Sequence, residues 1–286
     1  MPTDVLLDGL HFPEGPRWRD GKLWFSDMHG DVVKTLDPAT GVAEDVAQVS
    51  HPSGLGWLPD GRMLVVTMEV RQVLRQEPDG SLVVHADLSD VATDKTNDMV
   101  VDEQGRAYVG NFGAAPDPTT WPNYQPVPAA LALVLPDGTT RQAAHEKLLF
   151  PNGSVITPDG KTFIVAETFA ARCSAFDIQP DGGLVNHRVW AEVPESVPDG
   201  ICLDAEGCVW IASAKEGGSL LRVREGGEVV DEVVTRRTPY ACMLGGDDGR
   251  TLFACTSHNA VPEDCRSKPQ ASIEAARVDV PHAGLP

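Results

Sequence analysis

No apolar run in this 286-residue chain approaches the ~20 residues a helix needs to cross a bilayer, because charged or turn residues interrupt every one. The opening residues, Met1 to Leu7, lack the basic start and long apolar core of a secretory signal. Basic residues are scarce, with 23 Lys and Arg against 42 Asp and Glu and a formal charge of -19. No basic stripe exists to neutralise a phosphate backbone, so neither a nucleic acid nor a membrane is expected as partner. The six cysteines form no C-x-x-C pair and no zinc-ribbon spacing. Cys202, Cys208 and Cys255 lie in or beside expected strands and read as small buried hydrophobes, which fits a reducing, cytoplasmic compartment. Sustained helical periodicity is also missing, which argues against α/β architectures.

A repeat is present instead. A short phrase recurs six times, as Pro13-Glu14-Gly15, Pro52-Ser53-Gly54, Thr96-Asn97-Asp98, Pro151-Asn152-Gly153, Pro198-Asp199-Gly200 and Ala241-Cys242-Met243. Seven or eight residues after the middle position comes a glycine turn and an apolar run, such as Asp20-Gly21-Lys22-Leu23-Trp24-Phe25 or Asp159-Gly160-Lys161-Thr162-Phe163-Ile164. Successive middle positions lie 39 to 55 residues apart. That is the period of four-stranded propeller blades, roughly 40–50 residues. Each unit divides into four short β runs bounded by turns. In the first, they cover 15–18, 23–26, 32–36 and 44–49. The fold class expected is all-β: one six-bladed β-propeller domain over residues 1–286, with four-stranded antiparallel blades. The sixth unit has no fourth strand after Val280, and the run Val5 to Leu10 has no partner of its own. The N-terminal run is therefore predicted to complete the last blade and close the ring, leaving only short, protected sheet edges.

In such a ring the innermost strands all run the same way along the central channel, so their first residues meet at one mouth. Glu14, Asn97, Asn152 and Asp199 share that position. Two carboxylates and two amide carbonyls are hard oxygen donors that suit Ca2+ first. Mg2+, Mn2+ and Zn2+ stay open as alternatives. Asn and Asp beside Gly are common turn formers when taken singly. Four such coincidences in one repeat position, Glu14 among them, point to a divalent-metal site. Ser53 and Cys242 fill the two other positions as spacers or substrate contacts, with the spacer reading preferred for both. Loops after the second strand of each blade open on the same face. The longest, residues 112–129, carries Trp121, Tyr124 and five prolines, and reads as a substrate wall. Lys95 and Tyr240, just before innermost strands, and Glu167, at the end of a second strand, are further candidate substrate contacts. Lys215 and His258 fall on the same face.

The phrases Phe12-Pro13-Glu14-Gly15-Pro16, Thr96-Asn97-Asp98, Phe150-Pro151-Asn152-Gly153 and Pro198-Asp199-Gly200 resemble the SMP-30/gluconolactonase/LRE-like family of six-bladed propellers. The segment Ala241 to Gly246, with Thr251-Leu252-Phe253, resembles that family's sixth blade, so the likeness covers essentially the whole chain. It implies a divalent cation held by Glu14, Asn152 and Asp199 with Asn97 at or near it, and hydrolysis of lactones, Asp199 acting as ligand and general base. Where sugar lactonases of this kind carry Arg two residues before the Asn of the third phrase, this chain has Lys95. Lys offers a point charge in place of a planar fork, which leaves room for a more apolar lactone or ester than a sugar lactone. Two other readings remain open from the sequence. One is phosphotriester hydrolysis at the same metal, known in related propellers. The other is a non-catalytic calcium-binding or interaction propeller.

Overall fold

A computed structural model describes residues 3–114 and 125–285. Six four-stranded antiparallel sheets are arranged as blades of a β-propeller. The innermost strands are Pro13–Arg19, Pro52–Trp57, Thr96–Val101, Pro151–Ile156, Pro198–Leu203 and Thr238–Gly245. In the first five blades each hydrogen-bonds outward to the next three strands in chain order. Burial falls along that path. Every residue of Thr96–Val101 and of the second strand Met63–Thr67 is buried, whereas the outer strand Val42–Gln48 is largely exposed. The second strands accordingly approach continuous apolar runs, as in Met63–Thr67, while the innermost strands open on the polar repeated phrase and turn apolar towards their ends, as in Thr96–Val101. Leu64, Val66 and Val73 of blade two share one core cluster with Met99, Val101 and Val109 of blade three.

Closure occurs as the unpaired N-terminal run predicts. Strand Asp4–Leu10 pairs antiparallel with Ala271–Arg277, from Asp4 opposite Ala275 to Leu10 opposite Ala271. Side chains reinforce the seam: Thr3 Oγ1 donates to Glu274, and Arg237 reaches Asp8 at 3.0 Å. The C-terminal segment then turns under the ring. Ala205 N donates to Pro281 O, Ala283 N to Leu203 O, and Leu285 bridges to Ile156. Leu203 and Ile156 end their innermost strands, so this segment lies across the mouth opposite the repeated phrases.

The phrase itself has a structural cause. In every blade the pairing of the innermost strand slips there, with a β-bulge or irregularity between Pro52 and Leu55, Pro151 and Ser154, Pro198 and Ile201, and at the equivalent places. A bulge re-aims the side chain it carries, here into the channel. The following glycine lets neighbouring innermost strands approach closely. A Cβ on Gly54 would lie 2.3 Å from Met99 N, and one on Gly153 would lie 2.6 Å from Gly200 Cα.

Register corrects one assignment. In blade six the slip falls between Pro239 and Ala241, and Pro239 faces Thr256 as Pro151 faces Glu167 in blade four. The sixth phrase is therefore Pro239-Tyr240-Ala241, and the sixth ring position belongs to Tyr240, not Cys242. Blade six's innermost strand has eight residues where blade four's has six, so counting back from the glycine turn stops two residues short of Tyr240. Cys242 is buried among Gly200, Trp210 and Cys202. The helix Pro262–Ser267 was not foreseen, being too short at six residues for apolar periodicity to reveal. Its Cys265 packs with Phe12, Met28 and Met68. Trp121 and Tyr124 lie outside the described residues.

A candidate metal centre beneath an apolar cavity

Glu14, Asn97, Asn152 and Asp199 come together on one cavity of about 380 Å3, and each is under one-tenth exposed. A one-way chain of hydrogen bonds fixes the amides. Ser53 Oγ donates to Asn97 Oδ1 at 3.2 Å, and Asn97 Nδ2 donates to Asn152 Oδ1 at 2.8 Å. Asn152 Nδ2 donates to Thr168 Oγ1 at 3.1 Å, whose hydroxyl donates to Pro198 O at 2.8 Å. Because a main-chain carbonyl can only accept, the order of donors propagates back through four blades and settles which amide atom is oxygen. Each amide oxygen then accepts one recorded bond and keeps a second lone pair.

Electrostatics mark the same spot. Burial pushes the Glu14 carboxyl well above its usual range, and the nearby Asp199 and Asp98 charges push it further. Burial likewise raises Asp199, although Asn152 hydrogen-bonds its charged form. Arg17 lies below them but is committed elsewhere, donating to Asp98 Oδ1 at 2.7 Å, Leu55 O at 3.0 Å, Pro16 O at 2.7 Å and Met99 O. Among the described residues, two desolvated carboxylates thus lack an ion-pair partner of their own, beside two amide oxygens with lone pairs to spare. This donor set fits a hard divalent cation.

Above this floor the wall is largely apolar and arises from two further repeat positions. The residue two before each ring position supplies Phe12, His51, Lys95 and Phe150. The residue just after the second strand supplies Met28, Met68 and Phe112. Backbone bonds join the two positions blade by blade, from Met28 N to Phe12 O, Met68 N to His51 O and Phe112 N to Lys95 O. The Phe112 and Phe150 rings stack with centroids 4.1 Å apart, and Phe12 packs on Tyr240 at 4.7 Å. Phe150 holds its place with φ +57, rare for a residue with a side chain.

Of the expected substrate contacts, Lys95 and Tyr240 line the cavity. Lys95 Nζ pairs with Glu69 at 2.6 Å at the rim. Glu167 does not line it. Fully buried, its carboxylate accepts from Leu149 N at 2.9 Å, Arg172 Nε at 2.7 Å and Ser174 Oγ at 2.5 Å, so it anchors the turn before Asn152 and offers nothing to a ligand. Lys215, bonded to Glu195 O, and His258, beside Arg237, also fall outside the lining. Sequence reasoning missed His29, His51 and Arg266. Arg266, on the short helix, crosses to His51 Nε2. The His29 ring is buried and held down to about 4 by that burial and by Arg266 and His51. Among the described residues its Nδ1 has no hydrogen-bond partner.

A family model described as SMP-30/gluconolactonase/LRE-like region matches residues 12–258. The chain belongs to that family. Regucalcin of Oryctolagus cuniculus is 26% identical over 278 residues, covering 93% of this chain and 90% of the relative. Among solved structures, a calcium-binding protein, regucalcin, from Agrobacterium tumefaciens superposes with a TM-score of 0.80 at 20% identity, covering 100% of this chain and 97% of that one. A gluconolactonase from Xanthomonas campestris gives 0.71 at 21% identity, covering 99% and 89%. At such identities the superpositions establish fold. Membership of the SMP-30/gluconolactonase/LRE-like family supports a lactonase-type function for the chain.

Proposed function

We propose that this protein is a divalent-metal-dependent hydrolase that opens lactone rings, with a preference for lactones of apolar body over polyhydroxylated sugar lactones. One observation carries the reading: four hard oxygen donors converge at the floor of one cavity, with Phe12, Met28, Met68, Phe112 and Phe150 forming an apolar part of its wall. A sugar's hydroxyls would meet few unpaired polar groups on that wall, and buried hydroxyls without partners are costly.

Glu14, Asn97, Asn152 and Asp199 would hold the cation, with Ca2+ favoured by the donor chemistry. When bound, it supplies a Lewis acid that polarises the ester carbonyl and offsets the negative charge developing there. The remaining work falls to the chain. The apolar wall excludes water from all but the reacting end of the lactone. Asp199 accepts a proton from the water that attacks the carbonyl carbon. The Lys95–Glu69 pair at the rim gives the opened hydroxy acid a polar contact on its way out. A calcium-binding role without catalysis is the reading that the name of the Agrobacterium neighbour favours.

Metal analysis of the purified protein followed by a lactone panel with and without chelator tests the proposal. Cation-dependent turnover is expected, faster on alkyl or aryl lactones than on an aldonolactone. The Asp199→Asn variant should lose turnover by on the order of 10^2–10^4-fold while still showing a cation-induced rise in Tm. Cation binding with no turnover on any lactone would favour the calcium-binding reading. Faster turnover of phosphotriesters than of lactones would move the chemistry to phosphorus.

A further inference from the structure

Around the ring the six positions are Glu14, Ser53, Asn97, Asn152, Asp199 and Tyr240. The first five offer oxygen acceptors or point their donors at one another: Ser53 at Asn97, Asn97 at Asn152, and Asn152 at Thr168. Tyr240 differs. Its side chain lines the cavity, and among the described residues its hydroxyl has no hydrogen-bond partner. The ring is nonetheless fixed, by the slip in pairing between Pro239 and Ala241 and by the Phe12 face 4.7 Å away. Ring order places it between Asp199 of blade five and Glu14 of blade one, and both carboxylates act on its hydroxyl.

We propose that Tyr240 is a catalytic residue whose O–H donates a hydrogen bond to the ring oxygen of the lactone as that oxygen departs. The inference rests on the hydrolase reading above. Water forms the new bond to the carbonyl carbon and gives a proton to Asp199. The bond from carbonyl carbon to ring oxygen then breaks, and its electron pair stays on that oxygen. The oxygen accepts the Tyr240 hydrogen bond and ends as a hydroxyl carrying the proton that Asp199 took up. Tyr240 keeps its own proton, so one water is consumed and nothing is oxidised or reduced. Glu14, Asn97, Asn152 and Asp199 would hold a cation, which would supply charge stabilisation on the carbonyl side when bound. Tyr240, the one ring hydroxyl not directed at a neighbour among the described residues, covers the other oxygen, where charge develops on cleavage.

Two lactones separate this role from a packing role: an aryl lactone that leaves as a phenolate, and an alkyl lactone that leaves as an alkoxide. A phenolate carries its charge without help, whereas an alkoxide needs a donor. With the full chain saturated in Ca2+, Tyr240→Phe should lower kcat about 100-fold on the alkyl lactone and less than about fivefold on the aryl one. The rise in Tm on adding Ca2+ should match wild type. Equal losses on both lactones, no loss on the alkyl lactone, or disappearance of the Ca2+-induced rise would each overturn the assignment. Wild-type protein that turns over neither lactone would remove the hydrolase reading and this role together, while a leaving-group-blind loss removes this role alone.

Discussion

Asp27 and Glu167 occupy the same place in blades one and four, and both look upward along the chain. Asp27 Oδ1 accepts from Phe12 N at 2.7 Å and from His11 N at 3.0 Å, just as Glu167 accepts from Leu149 N. Each carboxylate pins the turn that delivers the next ring residue, Glu14 or Asn152. An acid at the end of a second strand is therefore an anchor, and its charge alone does not separate that role from ligand binding. His29 illustrates the opposite case. Held down chiefly by burial, with Arg266 and His51 adding to that effect and Asp27 and Asp31 opposing it, it has a folded-state pKa of about 4 against 6.5 for an unperturbed histidine. Between those values the unfolded chain binds more protons, so stability rises with pH across that window and is lost as pH falls through it. His29→Gln should flatten the dependence of Tm on pH from 6.5 to 4; an unchanged slope would show that other groups carry it.

At the scale of the strand, the repeated phrase serves packing and chemistry together: the bulge turns the ring residue inward and the glycine admits the neighbouring strand. Thr168 is where the two meet, because its hydroxyl both receives Asn152 Nδ2 and donates to Pro198 O. Thr168→Val keeps the shape and removes both bonds. Groups that orient metal ligands typically contribute 10–100-fold in affinity, so Ca2+ titration of this variant should show a loss in that range. The six-fold strand pattern and five of the ring positions were legible because bulge and turn, and in four phrases a glycine, recur at fixed offsets. The sixth position was not, since blade six's longer innermost strand shifts the count and puts Ala241 where four of the other blades have Gly. The wall residues follow the same offsets, as Phe12, His51, Lys95 and Phe150 show, but no single residue type marks them. Arg266 has no signal at all in the sequence, since only the fold brings it from blade six to His51.

For the whole molecule, the seam between the two termini decides cooperativity. The blade completed by Asp4–Leu10 also carries Tyr240 and packs against the strand bearing Glu14. Removing residues 1–10 exposes the edge of Ala271–Arg277 and deprives the last blade of its outer strand. Calorimetry should show a lower Tm for that truncation and a smaller rise on adding Ca2+, since a ligand bound by the folded state stabilises it by mass action. A truncated chain with wild-type Tm would mean that the ring holds without its clasp.

Arg17 has an effect beyond its ion pair. Its guanidinium spans blades one, two and three directly below the floor, and the segment from Pro281 to Leu285 underlies the far side of the ring. If the protein acts as proposed, reactant and spent acid would, as far as the described residues go, share the doorway at the mouth of the repeated phrases. An accumulating hydroxy acid should compete with incoming lactone for that entrance, raising KM while leaving kcat untouched.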